Sequence, residues 1–127
     1  MTPPPAVSKQ LESLLPDLSA PTSREEFEEL VAQARKASDL LKALSHETRL
    51  LILCLLSNGE KSVSELEDML TLPQASVSQQ LARLRFDRLV TTRREGRMVY
   101  YRIADEEVAS IIGALYNLFC KPALEKR

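Results

Sequence analysis

Tryptophan is missing from this sequence, and histidine, cysteine and glycine are nearly so: one, two and three residues among 127. One histidine and two cysteines are too few for a four-ligand structural zinc site within one chain. Three glycines leave no glycine-rich phosphate loop, and a lone histidine leaves no catalytic constellation to name, so an enzyme is not expected. Aromatic residues are 5% of the chain, which suits a helical fold better than a β-sandwich. The longest apolar run, residues 50–56, is far too short to span a bilayer. The N-terminus lacks the apolar segment of a signal peptide. A cytoplasmic location is therefore expected, without a membrane partner, and there both thiols stay reduced unless a redox signal acts on them. No cofactor is expected.

What is present suffices for one domain with a core: 44% of the residues are apolar. The net charge of −1 hides a strong asymmetry. Residues 1–73 hold 7 basic and 12 acidic side chains, a balance of −5. Residues 74–103 hold 7 arginines against Asp87 and Glu95, a balance of +5. Residues 104–127 hold 3 basic and 4 acidic groups, a balance of −1. One short segment thus carries a positive field while the rest repels polyanions, and phosphate binding depends on that local patch.

Residues 1–22 contain Pro3, Pro4, Pro5, Pro16 and Pro21 and read as a mobile tail, with one helical turn over residues 9–15. Ser23 precedes Arg-Glu-Glu-Phe, an N-cap with glutamate at N3. Phe27, Leu30, Val31, Ala34, Leu41 and Leu44 then follow a helical stripe, so a first helix is expected through about Ala43. Ser45-His46-Glu47-Thr48 opens a second helix to about Ser57. It is apolar all round from Leu50 to Leu56, hence expected to be buried on every side, and Asn58-Gly59 stops it. Ser62 or Ser64 caps a third helix, each with a glutamate three residues on, Glu65 or Glu67.

Leu72-Pro73 turns the chain into a fourth helix pattern over residues 73–88. Val77, Leu81 and Leu84 share one face of it, and Ser76, Ser78, Gln79, Gln80 and Arg83 lie mostly off that face. Residues 89–94 and 97–103 then read as strands joined at Glu95-Gly96, a two-residue hairpin with glycine supplying a positive φ. In that register Val90, Val99, Tyr101 and Ile103 share the core face, and Arg93, Met98, Tyr100 and Arg102 share the other. Arg94 and Arg97 flank the tip. Asp105 or Glu106 opens a last helix that reaches about Cys120 and ends before Pro122, leaving residues 121–127 as a tail. Its wide stripe of Val108, Ile111, Ile112, Leu115, Leu118 and Phe119, with that of the first helix, exceeds the needs of a small core and suggests a homodimer.

Helix, tight turn, helix and hairpin is the order of a winged helix-turn-helix. The expected fold is thus mainly α with a β-hairpin wing and five main helices, residues 23–120, dimeric through the first and last helices. Short polar side chains and amides suit base edges, and guanidinium groups suit phosphates. Ser76, Ser78, Gln79 and Gln80 are the candidate base readers. Arg83, Arg93, Arg94 and Arg97 are the candidate contacts to phosphate or the minor groove of double-stranded operator DNA.

Three stretches also resemble the ArsR/SmtB family of bacterial repressors: residues 44–53 (Leu-Ser-His-Glu-Thr-Arg-Leu-Leu-Ile-Leu), 76–84 (Ser-Val-Ser-Gln-Gln-Leu-Ala-Arg-Leu) and 93–102 (Arg-Arg-Glu-Gly-Arg-Met-Val-Tyr-Tyr-Arg). The likeness covers about residues 38–120. It implies a dimeric winged helix whose fourth helix enters the major groove at a near-palindrome, and a ligand or redox event that weakens DNA binding. Many members carry a thiol pair at the start of the third helix, where this chain has Ser62 and Ser64. Others carry Asp and His along the last helix, where this chain has Asp105 and no histidine after it. Gln80 stands where many members have histidine, and Phe86-Asp87 fills a turn that is often small. Cys54 and Cys120 are placed as in the dithiol branch of the family, the sulfide sensors. That likeness implies a switch in which persulfide or polysulfide links the two sulfurs and DNA is released. A peroxide-responsive repressor, a metal-responsive one using the cysteines with His46, and a winged-helix protein-interaction module are the alternatives. His46 is otherwise expected to help cap the second helix.

Overall fold

The computed structural model describes residues 23–125, and the proline-rich segment 1–22 lies outside the described residues. The chain divides into two units, residues 1–37 and 38–127. Helix α1, Arg24–Leu44, crosses that boundary. It starts where expected, because Ser23 Oγ accepts the Glu26 N–H at 3.1 Å, and Glu25 and Glu26 place negative charge on its first turn.

Helix α2, Glu47–Leu56, begins at His46, whose backbone is extended and whose side chain makes no capping bond. The expected capping role of His46 is therefore reduced to its carbonyl, which accepts the Leu50 N–H at 3.0 Å. Ile52, Leu53 and Leu56 are buried, but Leu51 is 48% exposed. The helix is thus not buried on every side: at 3.6 residues per turn, Leu51 and Leu55 share a face that the core does not fully cover. Gly59, at φ +129, ends the turn that follows.

A two-residue strand β1, Lys61–Ser62, comes next. It is too short to leave an alternating pattern in the sequence. Ser62 then caps helix α3, Val63–Leu70, through a full capping box with Glu65, which decides between the two candidate serines. Thr71, in the left-handed region at φ 52, closes α3. Helix α4 runs Gln74–Phe86 behind Pro73. Its stripe of Val77, Leu81 and Leu84 is wholly buried. The chain leaves α4 through Arg88 at φ 61, with Arg88 N–H on the Arg85 carbonyl (3.0 Å) and Leu89 N–H on the Leu84 carbonyl (2.9 Å). That is a Schellman closure with arginine where glycine is commonest.

Strands β2, Val90–Glu95, and β3, Met98–Ile103, form the wing. With β1 they make an antiparallel sheet in the order β1-β3-β2. Glu95 pairs with Met98, so the turn residues are Gly96 and Arg97, one position later than expected. A positive φ at Gly96 and none at Arg97 fits the type II′ hairpin turn. The pairing thereby shifts by two residues, and since side chains alternate with period two the predicted faces are unchanged. Val90 opposite Ile103 stands on one face and Arg93 opposite Tyr100 on the other.

Asp105 caps helix α5, Glu106–Leu115, by accepting the Val108 N–H at 3.0 Å. The helix does not end before Pro122. It widens into a π turn, Tyr116–Cys120, and continues as α6, Lys121–Glu125. In a regular α-helix the proline ring meets the carbonyl four residues back. Here the preceding turn is already wider, with the Lys121 N–H reaching the Tyr116 carbonyl five residues back, and Pro122 follows without ending the helix. The core of the second unit gathers Leu44, Leu53, Leu66, Leu81, Leu84 and Ile112.

Candidate nucleic-acid interface and thiol pair

The buried stripe of α4 fixes which side chains the helix can offer. With Val77, Leu81 and Leu84 at 0% exposure, the opposite side must face outward, and Ser76, Ser78 and Gln79 are exposed there. Gln80 is half-buried, and its Oε1 accepts the Nε–H of Arg49 from α2 at 2.8 Å. Arg83 is exposed but partly engaged: its Nε lies 3.2 Å from Asp87 Oδ2 and its guanidinium sits 5.6 Å from the centre of the Phe86 ring. Phe86 itself is 77% exposed.

The wing arginines divide into two kinds. Arg93 is held from three directions. Its Nε and Nη2 donate to the two carboxylate oxygens of Glu60, its Nη1 to Glu95 at 2.7 Å, and its guanidinium lies 4.7 Å from the centre of the Tyr100 ring. The hydrogen bond from Arg93 holds the Glu60 carboxyl below the usual carboxylate range, and the two carboxylates push Arg93 further up. A forked pair of this kind is the geometry in which a surface ion pair orders a loop. Arg94 and Arg97, at the tip, are exposed and in no ion pair among the described residues. Their positive charge is therefore free for phosphate, whereas Arg93 must first leave two carboxylates.

Sequence reasoning missed several participants. Glu60 and Arg49 come from distant parts of the chain and meet their partners only through the fold. Arg85 and Arg88 line an open cleft of about 470 Å³ with Val90, Thr91 and Thr92, adding two cations at the corner between α4 and β2. Their count in the basic segment was visible, but not their convergence. No hydrogen bond or ion pair joins α4 to the wing arginines among the described residues.

The structure brings Cys54 and Cys120 together. Cys54 stands on α2 and Cys120 closes the π turn, both half-buried and both free thiols. Burial first, then the neighbouring Cys120 thiol, push the Cys54 thiol above its ordinary range. Burial thus favours the protonated form of Cys54, and thiolate character there is suppressed. Among the described residues no group of three His, Cys, Asp or Glu side chains is arranged to hold a metal ion, so His46 does not join the two sulfurs as a ligand set. No described helix is long and apolar enough to cross a membrane.

Residues 46–92 match the family described as bacterial regulatory protein, arsR family. The chain is 46% identical over 90 residues to the biofilm growth-associated repressor of Agrobacterium fabrum, covering 71% of this chain and 77% of that protein. Among solved structures, reduced HlyU from Vibrio cholerae matches with a TM-score of 0.70 at 45% identity, covering 73% of this chain and 98% of that one. The transcriptional repressor BigR from Xylella fastidiosa matches with a TM-score of 0.67 at 40% identity, covering 78% and 98%.

Proposed function

Since the chain belongs to the ArsR family of bacterial transcriptional regulators, winged-helix proteins that bind DNA rather than enzymes, we propose that it represses by holding operator DNA as a homodimer and lets go when reactive sulfur links Cys54 to Cys120. The observation that carries this reading is that the fold sets the two thiols near enough for Cys120 to raise the Cys54 thiol, one on α2 and the other at the end of the π turn. A dithiol switch needs two sulfurs close enough to be bridged, and their separation in sequence makes that closeness a product of the fold.

Operator contact rests on the polar side of α4, with the exposed Ser76, Ser78 and Gln79 and the half-buried Gln80 toward base edges. Arg94 and Arg97 supply phosphate contacts from the wing, with Arg83 and Arg93 available once they exchange carboxylate for phosphate. Dimerisation rests on the apolar side chains left uncovered on α1 (Phe27, 51% exposed) and on the C-terminal helical stretch (Leu118, 69%; Phe119, 71%). Two copies of α4 one helical turn apart then read a near-palindrome.

The chemistry balances without a metal. The Cys120 thiolate attacks a sulfane sulfur of the polysulfide and expels a thiolate. Cys54, giving up its proton, displaces a second thiolate and closes the link, so two protein thiols are oxidised as the polysulfide is reduced. The link joins α2 to the end of the last helix. Because α2 packs against both α4 and α5, strain in that link bears on the reading helix. A coupling of about 1–3 kcal/mol would weaken operator binding roughly 5- to 150-fold.

The test is operator affinity before and after polysulfide for the wild type, Cys54→Ser and Cys120→Ser. Only the wild type should release DNA, and its intact mass should show the lost hydrogens plus any inserted sulfur. Peroxide treatment, read the same way, separates simple disulfide formation from sulfur transfer. Full release by Cys120→Ser would rule out the dithiol mechanism.

A further inference from the structure

Among the four candidate base readers of α4, Gln80 stands apart. Ser76, Ser78 and Gln79 are exposed, whereas Gln80 is half-buried with its Oε1 on Arg49 Nε at 2.8 Å. Arg49 is itself anchored. It stands in the first turn of α2, and its Nη1 donates to the carbonyl of Ala43, near the end of α1, at 3.3 Å. The guanidinium therefore spans the end of α1, the start of α2 and the middle of α4.

An arginine side chain has only donors. Turning the Gln80 amide over would set its NH2 group against the Arg49 N–H, donor against donor in a partly buried place, so the amide orientation is fixed by chemistry. A charged donor on the oxygen also polarises the amide and strengthens the NH2 group as a donor. No other described group takes that NH2. The usual glutamine contact to adenine needs the amide oxygen and nitrogen side by side on one free edge, accepting from N6 and donating to N7. Here the oxygen is committed to a cation and the nitrogen is free.

We infer that Arg49 sets the base preference of Gln80, converting an adenine-reading amide into a donor that seeks acceptor-rich major-groove edges: O6 and N7 of guanine, or O4 of thymine. This rests on α4 being the DNA-reading helix. Arg49 is a positioning residue and touches no base itself.

The experiment offers reduced full-length protein a pool of duplexes randomised across their centres, sequences the bound fraction, and repeats this for variants checked for folding by circular dichroism. The wild type is expected to select guanine or thymine at one position of each half-site, and Gln80→Ala to lose that selection. Arg49→Met keeps the aliphatic stem but no donor. It should free the amide to turn and raise adenine at that position on the order of tenfold relative to guanine. Gln80→Glu keeps the Arg49 partner but offers only acceptors, and should move selection to cytosine, whose N4 is a donor. If Arg49→Met does not fold, Arg49→Lys carries the same comparison, with its single flexible donor giving a weaker shift toward adenine. Adenine at a Gln80-dependent position of the wild type, or an unchanged base ranking in the Arg49 variant, overturns the inference. A ranking that survives Gln80→Ala but collapses in Gln79→Ala overturns it while leaving the α4 reading intact. A ranking that survives alanine at all four positions overturns that reading too.

Discussion

Two apolar stripes end differently in this molecule. On α4, Val77, Leu81 and Leu84 are sealed at 0% exposure. On the C-terminal helical stretch Val108 and Ile112 are buried, yet Leu118 and Phe119, further along, stand 69% and 71% exposed. A periodic stripe says that a helix face wants to leave water; it does not say what will cover it. The core of residues 38–127 uses the first two turns of α5 and stops, while the helical backbone runs on to Glu125. The wing repeats the contrast in charge: Arg93 is satisfied by carboxylates of its own chain, while Arg94 and Arg97 meet none among the described residues.

Breaking the covered stripe should cost most. Leu81→Ala is expected to lower unfolding stability by about 2–5 kcal/mol, as truncation of a fully buried leucine does, read by urea denaturation. A loss near zero would mean that α4 is not seated as described. The uncovered stripe should respond in the opposite sense. Phe119→Asp and Leu118→Asp should leave the fold of the single chain nearly intact but shift the sedimentation profile from dimer to monomer. An unaltered dimer in both variants would remove this stretch from the interface.

The wing sharpens the comparison with the smallest effect. Arg94→Ala combined with Arg97→Ala should reduce the slope of log affinity against log salt by about two, with all DNA sequences weakened alike. Arg93→Ala should change that slope less than either tip residue alone, because its charge is already matched by Glu60 and Glu95. A slope change for Arg93→Ala as large as that for Arg97→Ala would show that it trades Glu60 for phosphate at little cost.

Much of this architecture was legible because local chemistry and fold agree in it. Ser23, Ser62 and Asp105 announce helix starts through side chains that cap their own neighbours. The stripe of α4 announces its inner face, and the wing faces survived an error in the turn because the register moved by two. What stayed hidden were features made by distant residues. β1 is only Lys61–Ser62 and exists because β3 offers it an edge. The grip of Glu60 on Arg93 joins positions 33 apart, and that of Arg49 on Gln80 joins positions 31 apart. Neither leaves a local signal. The wing arginines Arg93, Arg94 and Arg97 were candidates of one kind in sequence and are not in the structure, since only the fold decides which meet a carboxylate. The path of the last helix past Pro122 was misread for a related reason, because a proline marks a helix end only where the turn before it is regular.

The π turn before Cys120 has a geometric consequence of its own. A π turn acts as one surplus residue threaded into a helix, and every side chain beyond it is rotated by about a hundred degrees from its α-helical azimuth. Cys120 closes that turn, so the aim of its sulfur toward Cys54 is a matter of phase as much as of position. Excising one residue from Tyr116–Cys120 and restoring a regular winding would conserve both cysteines, keep the helix, and swing the second sulfur around the axis away from the first. A homologue could thus retain both thiols in its alignment columns and still carry an uncoupled pair, told apart only by the length of the stretch between Leu115 and the cysteine.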